Sequence, residues 1–260
     1  MKSALLLLSL LAAAPVGAAS LAGLWEFQNS GNLGQASVGN NLTFSGTAPV
    51  WSATLADDAS NSLSGVVTTP ANVSSNMMSV THGIAANGGG LMVNQWSILV
   101  DIHSPAGSRS NWRTIFQTEP ANNDDGEYFI RPNNDWIGTA QLTYSGAPID
   151  ETAWTRLVVT FDGPATVRAY VNGALFYTHT NDDPLIDDRY ALRSQMHFFS
   201  DDDGDNAPMN VGAIALWDGA LSAGEVSALG LAGAAIPEPG TASLLPGLSV
   251  VLLAARRRRH

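Results

Sequence analysis

Six consecutive residues, Asp201-Asp202-Asp203-Gly204-Asp205-Asn206, carry the densest chemistry in the 260-residue chain. In extended backbone successive side chains alternate, so Asp201, Asp203 and Asp205 would face one way and offer hard carboxylate oxygens to a Ca²⁺. Relief of their mutual repulsion is the reason such a run would bind the ion. The sixth position is Asn206 rather than glycine and the twelfth is Gly212 rather than glutamate, so the run is not an EF-hand. A second acidic loop at Asn123, Asp124 and Asp125, and a third at Asp182, Asp183, Asp187 and Asp188, would add ligands if the loops met at one rim. The alternative for all three is a solvated turn, because Asp and Asn populate turns for backbone reasons.

Glycoside hydrolysis needs two carboxyl groups, about 5 Å apart in the retaining case, and neighbouring same-face strand positions can supply them. No strand pattern here does so. Glu26, Glu119, Glu127, Glu151 and Glu225 are scattered, and Asp125 with Glu127 is the nearest approach, without a third carboxylate. The chain has no cysteine, which removes disulfides, thiolate zinc sites, iron–sulfur clusters and cysteine nucleophiles. His82, His103, His179 and His197 lack metal-ligand spacing, and no serine sits in a nucleophile elbow. A non-catalytic protein is therefore expected. Among the tryptophans, Trp96, Trp154 and Trp217 fall in alternating strands and read as core. Trp136, between Asp135 and Ile137 in an Asn- and Gly-rich stretch, is the best flat face for a sugar ring. Trp136, Asp124 and Asp125 are thus the expected ligand-binding residues.

The formal charge is −11, and between Ser20 and Pro239 seven arginines stand against 23 carboxylates. Such a body repels phosphate backbones and anionic lipid, which argues against a nucleic-acid partner. With 45% apolar and 13% charged residues the composition suits one sizeable globular domain. The long apolar runs lie only at the extreme ends, which excludes a multispan membrane protein.

The elements that must position these residues are strands. Period-two alternation separated by Gly, Asn, Asp and Pro clusters dominates from Leu21 to about Gly233. Trp96, Ile98, Val100 and Ile102 form one apolar face, and Val167, Ala169 and Val171 another. Similar runs occur at Gly23 to Phe27, Trp112 to Gln117, Glu127 to Arg131, Trp154 to Phe161, Leu192 to Phe199 and Val211 to Trp217. Several carry bulky residues on the second face as well, and both patterns suit two stacked sheets. Asn172-Gly173 predicts a type I′ hairpin turn. One short helix is expected over Ser222 to Leu229, with Ser222 and Glu225 as a capping box, Leu221 and Val226 as a staple and Gly230 as the stop.

The two ends read as an address. Lys2, an apolar run from Ala4 to Ala14, Pro15 and the small residues up to Ser20 predict a secretory signal peptide over 1–19, cut after Ala18 or Ala19. At the other end, over 234–260, stand Pro237-Glu238-Pro239, an apolar stretch from Leu244 to Ala255, and Arg256, Arg257, Arg258 and Arg259. The order resembles the PEP-CTERM sorting signal of Gram-negative bacteria. Four guanidinium groups resist translocation, so the hydrophobic sorting helix would pause in the inner membrane with its C-terminus inside. The resemblance implies export by the secretion machinery, transient membrane association, and processing by an exosortase-type membrane protease. The destination would be the cell envelope, outer surface or extracellular matrix.

The body, over 20–233, resembles the laminin-G-like, concanavalin A-like jelly roll. The carriers are Trp112 to Thr118, Asn123 to Ile130, Trp154 to Phe161, Tyr170 to Ala174, Phe199 to Asp205 and Ile214 to Gly230. The resemblance implies an all-β sandwich of two antiparallel sheets with one short C-terminal helix. Its function would be to bind carbohydrate or a surface protein, with Ca²⁺ as the candidate cofactor. The alternatives it leaves open are a purely structural surface or biofilm-matrix protein and a glycan-cleaving hydrolase.

Overall fold

The computed structural model describes residues 19–54, 65–71, 73–121, 126–139, 142–150, 152–180 and 184–237. Ala18, Glu238, Pro239 and Arg256 to Arg259, and with them most of both proposed terminal signals, lie outside the described residues. Ala19 and Pro237 are the outermost described positions. Among the described residues no helix is long and apolar enough to cross a membrane.

In chain order the strands begin with β1 (Leu21–Trp25), β2 (Thr43–Ser45), β3 (Val50–Ser52), β4 (Val66–Thr68), β5 (Met77–Thr81) and β6 (Gln95–His103). They continue with β7 (Arg113–Gln117), β8 (Glu127–Ile130), β9 (Trp136–Thr139), β10 (Thr143–Pro148) and β11 (Thr155–Asp162). The last are β12 (Thr166–Val171), β13 (Ala174–Thr180), β14 (Gln195–Phe198) and β15 (Asn210–Trp217), followed by the helix α1 (Ala223–Ala228). One sheet has eight strands in the order β13-β12-β11-β6-β15-β4-β3, with β1 also on β15; the other has seven, in the order β10-β9-β8-β7-β14-β5-β2. The named strand pairs are antiparallel.

The alternation works as the sequence predicts. Trp96, Ile98, Val100 and Ile102 of β6, with Leu157, Val159 and Phe161 of β11, meet Met78, Val80, Tyr128, Ile130, Ile137, Met196 and Phe198 of the facing sheet in the main core. Trp96 sits edge-on to Phe116 with centroids 5.3 Å apart, and its indole N–H donates to the Tyr190 carbonyl at 2.7 Å, so the buried ring leaves no donor unmet. Asn172 and Gly173 take φ 51 and 82, the two positive values a type I′ turn requires, and pair β12 with β13. The first strand departs from expectation: it ends at Trp25, because Phe27 takes φ 53 and leaves extended backbone.

The second faces of β6, β11, β12 and β15 carry Leu99, Val158, Tyr170, Ala215 and Trp217, and these pack under Leu221, Val226 and Leu229. Leu221 and Leu229 bracket α1, and Val226 lies within it. Ser222 accepts from the Glu225 backbone N–H while the Glu225 carboxylate accepts from the Ser222 N–H at 2.8 Å, and Gly230 at φ 73 ends the helix. Six residues cannot form a stable helix alone. The cap contributes about 1 kcal/mol, whereas each buried aliphatic side chain contributes about 1.5–3 kcal/mol, so packing decides that α1 forms.

Beyond the helix, a buried ion pair ties the chain down. The Arg156 guanidinium grips Asp101 through two bonds of 2.7 Å, with both side chains 1% exposed. Its remaining donors reach the carbonyls of Leu229 and Ala234, and Asp101 also accepts from the Gly233 N–H at 2.9 Å. Replacing Arg156 with Met would strand a buried carboxylate and two carbonyls. Guanidinium unfolding should then show a loss of about 3–5 kcal/mol. A loss below about 1 kcal/mol, the range of ordinary surface changes, would show that the clamp does not hold this end of the fold.

Candidate functional site

On β8, Tyr128 and Ile130 enter the core, so Glu127 and Phe129 point to the outer face of the seven-stranded sheet. On β14, Met196 and Phe198 go inward and His197 goes outward, where its Nδ1 lies 2.7 Å from the Ser79 hydroxyl of β5. Burial pulls the His197 imidazole below its ordinary pKa, as expected for a satisfied structural histidine. Between them, at the end of β7, Gln117 pairs in register with both Glu127 and His197.

Residues 199–207 run beside β7. The Phe199 N–H donates to Ile115 at 3.1 Å, the Thr114 N–H to Asp205 at 3.2 Å, and the Ala207 N–H to Trp112 at 3.0 Å. Between those ties the acidic run is a turn. Asp201 accepts the Asp205 N–H at 2.6 Å through its carboxylate and the Gly204 N–H at 3.2 Å through its carbonyl, and Gly204 takes φ 92. Alternation applies only to extended backbone, so Asp201, Asp203 and Asp205 do not converge: Asp203 and Asp205 are exposed, while Asp201 is 1% exposed. The group that does converge is Glu127, Asp201 and Asp202, with ligand oxygens all within 4.8 Å of one another. The Gln117 amide N–H₂ reaches all three, at 3.1 Å to Glu127, 2.9 Å to Asp201 and 3.0 Å to Asp202.

Burial raises the Asp201 carboxyl above the ordinary carboxylate range; the neighbouring charges of Asp202 and Asp205 add to the rise, and backbone donors from Asp205 and Asp203 oppose it. Burial followed by Asp203 raises Asp205 as well. A carboxyl that holds its proton more tightly when folded favours the fold at low pH. That contribution is lost as pH rises through the folded value. At neutral pH the two groups therefore work against folding.

An aromatic shelf adjoins the cluster. The Arg131 guanidinium lies 4.8 Å from the Tyr144 ring centre and 5.9 Å from those of Trp112 and Trp136. Trp112 meets Phe129 edge-on at 5.6 Å and Tyr144 at 6.0 Å. Strand register brings these groups together, since Phe129 of β8 and Tyr144 of β10 both pair with Gly138 of β9. The turn before Trp136 uses left-handed Asn133 and Asp135, and Asp135 is held by buried Arg113 at 3.0 Å. Burial pushes the Tyr144 phenol up to about 12; Arg131 opposes the rise, and Glu127 and Asp205 add to it.

Of the expected site residues, Trp136 is in the shelf and half-buried, Asp201 is in the acid cluster, and Asp124 and Asp125 lie outside the described residues. In the third acidic loop Asp182 and Asp183 also lie outside them, whereas Asp187 has a structural task. It accepts from the Leu91 and Met92 N–H groups and the Asn94 amide at 2.7–2.8 Å, and these bonds hold its carboxyl below the usual range. Gln117, Asp202, Arg131 and Tyr144 were not expected. The irregular register between Thr114 and Phe116 on β7 hides the side on which Gln117 emerges. The same-face spacing of Glu127 and Phe129 was the available signal.

A family model described as the concanavalin A-like lectin/glucanases superfamily matches residues 63–227. No curated protein matches the chain by sequence. Among solved structures, domain 4 of the extracellular GH43 arabinanase AbnA from Geobacillus stearothermophilus, solved with arabinotriose, superposes with TM-score 0.54 at 16% identity, over 82% of this chain and 99% of that one. The receptor-binding domain of botulinum neurotoxin C/D mosaic serotype gives TM-score 0.53 at 13% identity, over 80% of this chain and 50% of that one. A structure described in terms of botulinum neurotoxin type C cell entry through two ganglioside molecules gives 0.52 at 15%, over 81% and 50%. The chain thus spans about half the length of the toxin structures. At these identities the likeness concerns the fold, and the residues matched by the family model establish that the chain belongs to the concanavalin A-like lectin/glucanases superfamily.

Proposed function

We propose that this chain is an exported, non-catalytic glycan-binding module whose binding surface is the shelf of Trp112, Arg131, Trp136 and Tyr144 beside the acid cluster. The observation that carries the proposal is the gathering of three partly exposed aromatic rings around one guanidinium on the outer face of a sheet. A sugar ring has an apolar C–H face that stacks on aromatic carbon and a rim of hydroxyls that needs donors and acceptors. The shelf supplies the first; Arg131 and the nearby carboxylates supply the second. The arabinotriose bound by the arabinanase domain and the gangliosides named for the toxin point to the same ligand class. Against catalysis, the Asp201 carboxyl is 1% exposed, so it is not open to a glycosidic carbon.

Export follows from the two ends. The signal-peptide pattern delivers the chain to the secretion machinery. The Pro237-Glu238-Pro239 motif with Arg256 to Arg259 then presents it at the inner membrane to an exosortase-type protease, for release to the envelope or matrix.

A glycan array followed by calorimetry tests the binding role. Trp136→Ala and Tyr144→Ala should each weaken the strongest glycan about tenfold, equivalent to about 1.4 kcal/mol, with the unfolding midpoint little changed. Absence of any glycan binding by the wild-type chain would favour the purely structural surface protein, and turnover of a bound polysaccharide would favour the hydrolase. Intact mass of the protein recovered from its host tests the sorting step. The expected species lacks residues 1–18 or 1–19 and the Arg256 to Arg259 cluster; retention of those arginines would overturn it.

A further inference from the structure

Arg131 directly follows β8, and its backbone is fixed on both sides. Its N–H donates to the Trp136 carbonyl at 2.9 Å, and its own carbonyl accepts from the Arg113 guanidinium at 3.0 Å. Its side chain is held in another way than those of Arg113, Arg156 and Arg193, which pair with Asp135, Asp101 and Glu119. The Arg131 guanidinium rests against the rings of Trp112, Trp136 and Tyr144, and among the described residues no carboxylate or carbonyl accepts from it. Its Nε is buried without a hydrogen-bond partner. The one carboxylate of the turn between β8 and β9, Asp135, is drawn off by Arg113. A cation left without a counter-ion is unexpected in a body where 23 carboxylates stand against seven arginines.

We infer that the Arg131 guanidinium anchors a carboxylate on the bound sugar, so that the shelf takes acidic glycans, of the uronic- or sialic-acid kind, ahead of neutral ones. The inference rests on the glycan-binding reading of the same shelf and adds the charge of the ligand. Ring faces attract the charge of a guanidinium but give its N–H groups no acceptor of carboxylate strength. Arg131 is half-buried with Nε in its covered part, so an incoming carboxylate meets the two terminal nitrogens end-on, in two parallel bonds. Three rings and two backbone bonds already hold the group in place, so little freedom is lost when the pair forms. The apolar face of the same sugar stacks on Trp136 or Tyr144. Each further negative charge on a ligand is repelled by the acidic body, which favours a singly charged sugar acid over a densely sulfated chain.

The test compares acidic sugars with neutral counterparts by calorimetry on the full chain: oligogalacturonate against its methyl ester, and sialyllactose against lactose. One of the two acids should bind about tenfold or more tightly than its counterpart. In Arg131→Gln that ratio should fall to about one, with the neutral sugar bound much as before. Arg131→Lys keeps the charge without the planar fork and should retain only part of the ratio. Trp136→Ala should weaken acid and neutral sugar alike, because it removes stacking and leaves the charge. If Arg131→Gln does not fold, the wild-type ratio and Arg131→Lys decide. A wild-type ratio near one for both pairs, an acid preference unchanged in Arg131→Gln, or heparin bound more tightly than either acid would each overturn the inference. Neutral glycans bound through Trp136 with no gain from the acid would overturn it alone; a glycan array with nothing bound would take the glycan-binding reading down with it.

Discussion

The central strands of the eight-stranded sheet are buried on both sides. The inner face of that sheet meets the seven-stranded sheet across Trp96, Ile98, Val100, Leu157 and Val159. Its outer face is covered by α1 and the segment after it, through Leu221, Val226, Leu229 and Ile236. Apolar residues at successive positions, such as Ile98-Leu99-Val100 on β6, demand cover on both sides. The outer face of the seven-stranded sheet carries polar residues, Ser79 and His197, among its buried positions, beside Phe129. It is there that Glu127, Phe129 and His197 emerge and that polar and aromatic groups collect.

The two outer faces are held together by different physics. Over the eight-stranded sheet, hydrophobic cover is completed by Arg156 and Asp101, whose charges are matched to each other and to three backbone groups of the 229–234 segment. A fully satisfied pair of this kind fixes one arrangement of the chain end, because removing either partner leaves a buried charge. Over the seven-stranded sheet three carboxylates lie close together. Glu127, Asp201 and Asp202 share one neutral amide, and burial raises Asp201 and Asp205. Polar groups in unfavourable company persist in a fold where the backbone around them is firmly set, and here it is set by the bonds from Phe199, Thr114 and Ala207 along β7.

What the sequence made legible was whatever depends on neighbours in the chain. The alternation from Trp96 to Ile102, the Asn172-Gly173 turn and the Ser222–Glu225 box each involve a few consecutive residues, and each is present as predicted. Strands of three residues such as β2, β3 and β4 are too short to display a period, and their existence depends on pairing with distant partners. The site was legible only in part for the same reason. Gln117 meets Glu127 across a strand pair and Asp201 across 84 positions of chain, through a register that a bulge on β7 shifts. The acidic run itself misled, because its residue types fit both a strand end and a turn. The Asp201 carboxylate bonding the Asp205 N–H is what makes it a turn.

Geometry also relates the proposed binding face to the proposed route of delivery. Ala19 and Ile236, close to the two outermost described positions, both pack against the cluster on the outer face of the eight-stranded sheet, and the Ser20 N–H donates to Asp218 at 2.6 Å on that side. The shelf of Trp112, Trp136 and Tyr144 lies across the full thickness of the sandwich, on the outer face of the other sheet. A domain held or cut at Pro237 therefore turns its aromatic face away from the attachment point. The Asp101–Arg156 clamp lies just inside that point, at Gly233 and Ala234, so a cut beyond it removes none of the contacts that cover the sheet. Two demands on an exported binding module, an end that can be handled and a face left free, are thus separated by the two-layer architecture itself.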